Sequence, residues 1–152
     1  MIVGIHHIAL GVPDFERGLA FYRDTLGFTV VQESTFARDN PLADRAIGLR
    51  SVGAKMAMLK APNAYLELWQ YSNPAPDDRR QRQCDFGYAH FALQVDGLAE
   101  EHARLSAAGM EFVGPPVDFG VVSAIYGKDP FGNFIELYEI RDARVAQLPR
   151  PS

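Results

Sequence analysis

Four side chains of this 152-residue sequence invite a chemical reading before any others: His7, Glu67, His90 and Glu136. A neutral imidazole offers a nitrogen lone pair, and an ionised carboxylate offers oxygen lone pairs. Two of each make a workable ligand shell for a divalent metal that keeps positions open for substrate or water. Their places in the chain are ordered. His7-Ile8-Ala9-Leu10-Gly11-Val12 returns as His90-Phe91-Ala92-Leu93-Gln94-Val95. Leu26-Gly27-Phe28 is matched by Ala108-Gly109-Met110, and Tyr65-Leu66-Glu67-Leu68-Trp69 by Phe134-Ile135-Glu136-Leu137-Tyr138. Three matches in one order mark an internal duplication. Glu67 follows His7 by 60 positions and Glu136 follows His90 by 46, so the first copy carries a surplus, placed between about Ser34 and Gly53.

The elements that must position these residues follow from periodicity. Ile5 to Val12 alternates as a strand, turning His7, Ala9 and Gly11 to one side and Ile8, Leu10 and Val12 to the other. Pro13-Asp14 opens a helix with Asp14 as N-cap, an apolar stripe of Phe15, Leu19, Tyr22 and Leu26, and Gly27 at its end. Phe28 to Val31, Lys55 to Lys60 and Ala64 to Tyr71 read as strands. The second copy repeats the order: a strand over Tyr88 to Val95, a helix from near Leu98 to Ala108, and strands near Glu111 to Val113, Val121 to Tyr126 and Phe134 to Ile140. Each copy is a βαβββ unit too small to bury its sheet alone. The expected fold is α+β, with two tandem βαβββ modules forming a cupped, partly closed mixed sheet around a metal site. The organisation expected is one domain over 1–152, with module 1 at 4–72, a linker at 73–85, module 2 at 86–142 and a tail at 143–152.

Strand parity then places one imidazole and one carboxylate on the same face of each module. Glu67 shares its face with Tyr65, Trp69 and Tyr71, and Glu136 shares its face with Phe134 and Tyr138. A carboxylate among apolar neighbours is costly unless paired or metal-bound. His6 and His102 read as structural: alternation turns His6 away from His7, and His102 falls on a helix beside Leu98 and Leu105. Met56, Met58, Trp69, Phe119 and Tyr126 are candidates for the wall of a substrate pocket, each also consistent with ordinary sheet core.

Composition bounds the partners. The chain is 47% hydrophobic and 22% charged, with a formal charge of −4. That balance suits a globular protein and disfavours a nucleic-acid partner. No apolar run reaches the roughly 18 residues needed to span a bilayer, and the first residues lack a charged leader pattern. Cys84 is the single cysteine, so neither an intrachain disulfide nor a cysteine zinc cage is available. A cytoplasmic location is expected.

The motifs resemble those of the vicinal oxygen chelate superfamily, which groups glyoxalases, bleomycin-resistance proteins and extradiol dioxygenases. The similarity runs over residues 4 to 142. It is carried by His7-Ile8-Ala9-Leu10 with Asp14, Phe21-Tyr22 leading to Leu26-Gly27-Phe28, Leu66-Glu67-Leu68, and His90-Phe91-Ala92-Leu93. Most specific is Asp129-Pro130-Phe131-Gly132-Asn133-Phe134-Ile135-Glu136-Leu137. The resemblance implies paired βαβββ modules and one divalent ion per site (Ni, Co, Zn, Mn or Fe(II)) with His7, Glu67, His90 and Glu136 as ligands. It also implies a small-molecule substrate and a homodimer.

Several chemistries share this scaffold. Filling all four ligand positions as His, Glu, His, Glu most resembles glyoxalase I, a lyase/isomerase that moves a proton next to a carbonyl through a metal-stabilised enediolate. Glu136 is then the leading base, Glu67 its partner, and glutathione a candidate co-substrate. An acyl-CoA epimerase would need an extra acid, and the region Val52 to Met58 has none. A ring-cleaving non-haem iron(II) dioxygenase would use only His7, His90 and Glu136, with Tyr126 orienting a phenolic substrate; such enzymes are often twice this length. Thiol addition, as in fosfomycin resistance, would need a potassium-binding loop that is not evident. A metal-free binding or resistance protein would have no use for four ligand-type residues. In the surplus, Arg38, Arg45 and Arg50 read first as a solvated polar loop and second as an anion contact.

Overall fold

The computed structural model describes residues 1–78 and 82–149. The chain divides into two compact units, Met1–Asp78 and Arg79–Ser152. Each is a mixed α+β unit with its own open sheet.

In the first unit the order is β1 (His7–Gly11), α1 (Phe15–Ala20), β2 (Thr29–Phe36), α2 (Pro41–Ile47), β3 (Gly53–Lys60) and β4 (Tyr65–Asn73). The sheet runs β1-β4-β3-β2. β1 lies parallel to β4, and the other neighbours are antiparallel. The Asp14 carboxylate accepts from the Arg17 N–H at 3.1 Å and so caps α1. The expected single helix does not hold one geometry. Phe21–Thr25 widens into a π-helical turn, with the Leu26 N–H donating to the Phe21 carbonyl at 3.0 Å. Phe21 and Tyr22, both in this turn, are buried. Gly27 closes it at φ 79°, and Phe28 N–H reaches the Tyr22 carbonyl at 3.0 Å. α1 packs towards β4, while Ala57, Leu59, Leu66 and Leu68 are buried on the sheet. Each such leucine contributes about 1.5–3 kcal/mol by leaving water.

The surplus of the first copy, expected as a loop, contains α2. Its signals are local: Asn40 accepts from the Leu42 and Ala43 N–H groups, Pro41 starts the first turn, and Gly48 ends it in the left-handed conformation. Asp44 then accepts from the Ser51 and Val52 N–H groups at 2.7 and 2.8 Å, fastening the helix to the start of β3. Arg38, Arg45 and Arg50 are all exposed.

The second unit has β5 (Phe91–Gln94), α3 (Leu98–Ala107), β6 (Glu111–Phe112), β7 (Val117–Asp118), β8 (Val122–Lys128) and β9 (Phe134–Ile140). Its sheet runs β5-β9-β8-β6, with the short β7, not anticipated from the sequence, also pairing with β8. β5 is again parallel to its partner. Gly97 precedes α3 without a side-chain cap, so the cap comes from a distant strand. Glu139 on β9 accepts from the Gly97 and Leu98 N–H groups at 2.8 and 3.4 Å. These bonds, led by Gly97, hold its carboxyl below the usual range, with Arg141 adding to the effect. Gly127 on β8 faces Phe112, and a Cβ there would come within 2.5 Å of the Met110 methyl and 2.9 Å of the Phe112 ring.

Both opening strands are shorter than alternation alone predicts. β1 begins at His7, not Ile5, and β5 begins at Phe91, leaving His90 one residue ahead of it. β4 starts immediately after its hairpin turn at Tyr65, opposite His7, and the ladder of β1 ends there with the Tyr65 N–H donating to the His6 carbonyl at 2.9 Å. In the second unit the paired register starts with Phe91 opposite Ile135, one residue into β9. Among the described residues no helix is long and apolar enough to cross a membrane.

Candidate functional site

The parallel register positions the first pair. His7 lies opposite Tyr65 and Ala9 opposite Glu67, so His7 and Glu67 share a face, two residues offset along neighbouring strands. The small Ala9 leaves room between them, and His7 Nε2 comes to 3.4 Å from Glu67 Oε2. The second unit reproduces the arrangement, with Ala92 opposite Glu136 and His90 Nε2 3.3 Å from Glu136 Oε2. The carboxylates are shielded, with side-chain exposures of 15% and 14%, whereas the imidazoles are more open at 40% and 28%. A shielded carboxylate needs a positive partner.

The two separations exceed the usual 2.7–3.2 Å range of an N–H···O bond. An imidazole nitrogen beside a carboxylate oxygen is a pair of donor types that a divalent ion such as zinc accepts. The donor set of each pair therefore fits a shared cation. Within either unit, no group of three or more His, Cys, Asp or Glu gathers among the described residues. Each unit holds one imidazole–carboxylate pair.

The surroundings differ. In the first unit the Trp69 indole N–H donates to Glu67 Oε2 at 2.9 Å. Trp69 is stacked between Phe36 and Tyr71, with ring centroids 5.3 and 5.4 Å away. Met58 lies opposite Glu67 and Met56 opposite Trp69, so both methionines share the face, Met56 being buried. Burial, and then the Glu67 charge, push the Tyr71 hydroxyl above its ordinary range. In the second unit Tyr126 lies opposite Glu136 on β8 and packs edge-on to the His90 ring at 4.9 Å. Burial and the Glu136 charge raise its hydroxyl likewise, so it remains a proton donor at neutral pH. Phe119 is instead 66% exposed at the turn between β7 and β8.

Sequence reasoning missed the partners of the histidines. His90 Nδ1 is 2.8 Å from Gln83 Oε1, and His7 Nδ1 is 3.0 Å from His6 Nδ1. His6 does not point away from His7. It sits ahead of β1, where strand alternation no longer applies, and it stacks on Tyr65 at 4.8 Å. Gln83 lies in a polar run without periodicity, and no sequence signal singles it out. His102 packs against Phe112, with ring centroids 4.4 Å apart.

Two open mixed sheets, each with a His–Glu pair at the junction of its parallel strands, define a duplicated α+β protein with the same imidazole–carboxylate pair on both copies. The model of the Glyoxalase/Bleomycin resistance protein/Dioxygenase superfamily matches residues 4–137, and the chain belongs to that superfamily. It is 30% identical over 153 residues to a 2-epi-5-epi-valiolone epimerase of an Actinomyces species, covering 91% of this chain and 80% of the relative. It is 29% identical to the lactoylglutathione lyase of Salmonella typhimurium, covering 90% and 93% of the two chains. A solved glyoxalase family protein from Bacillus cereus superposes with a TM-score of 0.82 at 22% identity, over 92% of this chain and 95% of that one. A fosfomycin resistance protein from Listeria monocytogenes gives 0.62 at 21% identity, over 91% and 93%.

Proposed function

We propose that the protein is a divalent-metal-dependent lyase or isomerase that moves a proton on a carbon next to a carbonyl. The observation that carries this reading is the duplicated His–Glu pair, with the same register and nearly the same separation in both units. Both a lyase and an epimerase among the similar proteins are compatible with it. His7, Glu67, His90 and Glu136 would hold the ion (Ni, Co, Zn, Mn or Fe(II)), which would supply positive charge beside a substrate oxygen as negative charge develops there.

The chain's own residues account for the rest of the chemistry. Glu136 removes the proton and returns it: among the described residues no hydrogen bond to its carboxylate is seen, the nearest polar atom being His90 Nε2 at 3.3 Å, so a lone pair is available. Glu67 is its partner, and its Oε2 is already tied to the Trp69 indole, which fixes its direction. Tyr126, protonated and opposite Glu136, can donate to a substrate oxygen. Met58 and Trp69 offer an apolar surface to the remainder of a small substrate, with glutathione as a candidate co-substrate. The exposed, lone Cys84 fits a reducing cytoplasm, and a homodimer is the proposed assembly.

The test is metal content by elemental analysis, followed by solvent deuterium exchange into a hydroxyketone or a methylglyoxal–glutathione adduct. About one ion per chain and metal-dependent exchange are expected. Absence of bound metal after reconstitution with nickel, zinc, manganese and iron(II) would overturn the reading. Oxygen consumption with catechols under iron(II), without exchange, would replace it with ring cleavage.

A further inference from the structure

We propose that Gln83 is a positioning residue that sets the tautomer of His90, so that its Nε2 lone pair is presented beside Glu136. The amide orientation follows from its contacts. Gln83 Nε2 donates to the Ala89 carbonyl at 3.3 Å, and a carbonyl can only accept. That leaves Oε1 to face His90 Nδ1 at 2.8 Å, and an amide oxygen can also only accept. The proton of a neutral His90 ring therefore sits on Nδ1, and Nε2 carries the lone pair. Nε2 and Glu136 Oε2 then meet at 3.3 Å as two acceptors, an arrangement that calls for a cation between them.

The link is short and local. Gln83 reaches over the residues leading into β5, and Arg82 beside it is tied to Asp85 by backbone and side-chain hydrogen bonds, which folds this segment into a turn. Tyr126 packs edge-on against the same ring. Gln83 thus fixes which nitrogen carries the proton, while Tyr126 restricts the ring's tilt. Outer partners of metal-binding histidines commonly act this way, and their removal costs roughly 10–100-fold in metal affinity.

The proposal rests on the metal-enzyme reading for its purpose but not for its test. Long-range proton–nitrogen NMR of the metal-free full chain, recorded well above the ordinary imidazole pKa, reports the tautomer of each histidine. His90 is expected as the Nδ1–H form in the native protein, shifted towards the Nε2–H form in Gln83→Ala and retained in Gln83→Glu, which keeps an acceptor. His7 signals should be unchanged in both variants, which shows the fold intact. In parallel, nickel or zinc affinity should fall about 10–100-fold in Gln83→Ala and recover in Gln83→Glu. A native His90 in the Nε2–H form would overturn the proposal, as would a Gln83→Ala variant with native tautomer and affinity. If the native chain binds no metal while the tautomer still depends on Gln83, the positioning role stands and the metal reading falls.

Discussion

The two units place the same pair of groups at the same register and then support them by different means. In the first, Glu67 is anchored by Trp69, itself held in a stack between Phe36 and Tyr71. In the second, no such anchor is seen on Glu136 among the described residues, and the histidine is held by an amide, Gln83, where His7 has the His6 ring, with Tyr126 packed edge-on beside it. Duplication supplies two equivalent pairs, and under the proposed reading the divergence of their neighbours gives them separate tasks. A carboxylate whose lone pair is already engaged is suited to holding, and one whose lone pair is free is suited to taking a proton.

The sharpest way to break this contrast is to exchange each carboxylate for its amide. Glu136→Gln is expected to lower turnover by roughly 10²–10⁴. Glu67→Gln should chiefly weaken metal affinity, by about 10–100-fold, with the smaller loss of turnover at saturating metal. Equal deficits, measured as kcat under metal saturation, would mean that the two halves share one duty.

The hairpins leading to the two glutamates offer a second contrast. Asp129 is buried and accepts from the Phe131 and Asn133 N–H groups and the Asn133 side chain, at 2.7–2.9 Å. The equivalent turn of the first unit is closed by one backbone bond, from Ala61 N–H to the Ala64 carbonyl. Asp129→Ala is therefore expected to destabilise the protein by about 2–4 kcal/mol in urea unfolding, with Asn63→Ala costing below about 1 kcal/mol. Next in size is Trp69→Phe, which keeps the stack and removes the N–H. A loss of about 1 kcal/mol in stability is expected, together with weaker metal binding.

The smallest effect concerns pH. Glu139 is held below its unfolded value by the α3 N–H groups, so its contribution is fully present above the unfolded carboxylate range and disappears as pH falls through the lower, folded value. Glu139→Gln should flatten the acid limb of the stability curve, read by thermal unfolding at a series of pH values. The first unit, whose α1 is capped from within by Asp14, should show no such dependence on β4.

Much of this was readable in residue patterns. The duplication, the shared face of His7 and Glu67, and the Asp129 turn follow from repeat order, alternation and turn chemistry, because each depends on residues close together or on strand parity. The start of β1 is not legible because its ladder begins only where β4 begins, at Tyr65, and that partner is far away in sequence. α2 was hidden because the stretch from its cap Asn40 to its closing Gly48 is only nine residues, too short for an apolar stripe to establish a helical period. Gln83, His6 and Glu139 were invisible for one reason: each acts through a hydrogen bond across a turn or between elements, and nothing about a glutamine in a polar run announces its acceptor. Among the pocket candidates, Met58, Trp69 and Tyr126 lie beside the carboxylates, whereas Phe119 sits exposed at a turn.

The Asp129 turn also has a kinetic meaning. Its bonds close within five residues, so the β8–β9 hairpin can form by local search, on the microsecond scale of hairpins, before any distant segment has been recruited. β5 must be brought in from some forty residues away and joins by parallel pairing, the slower kind of event. Such an order would settle the side of the sheet on which Glu136 emerges, opposite Tyr126, before His90 is brought to meet it. A substitution that loosened the turn would be felt first as a register error, with the carboxylate facing the helix and the imidazole left without its partner.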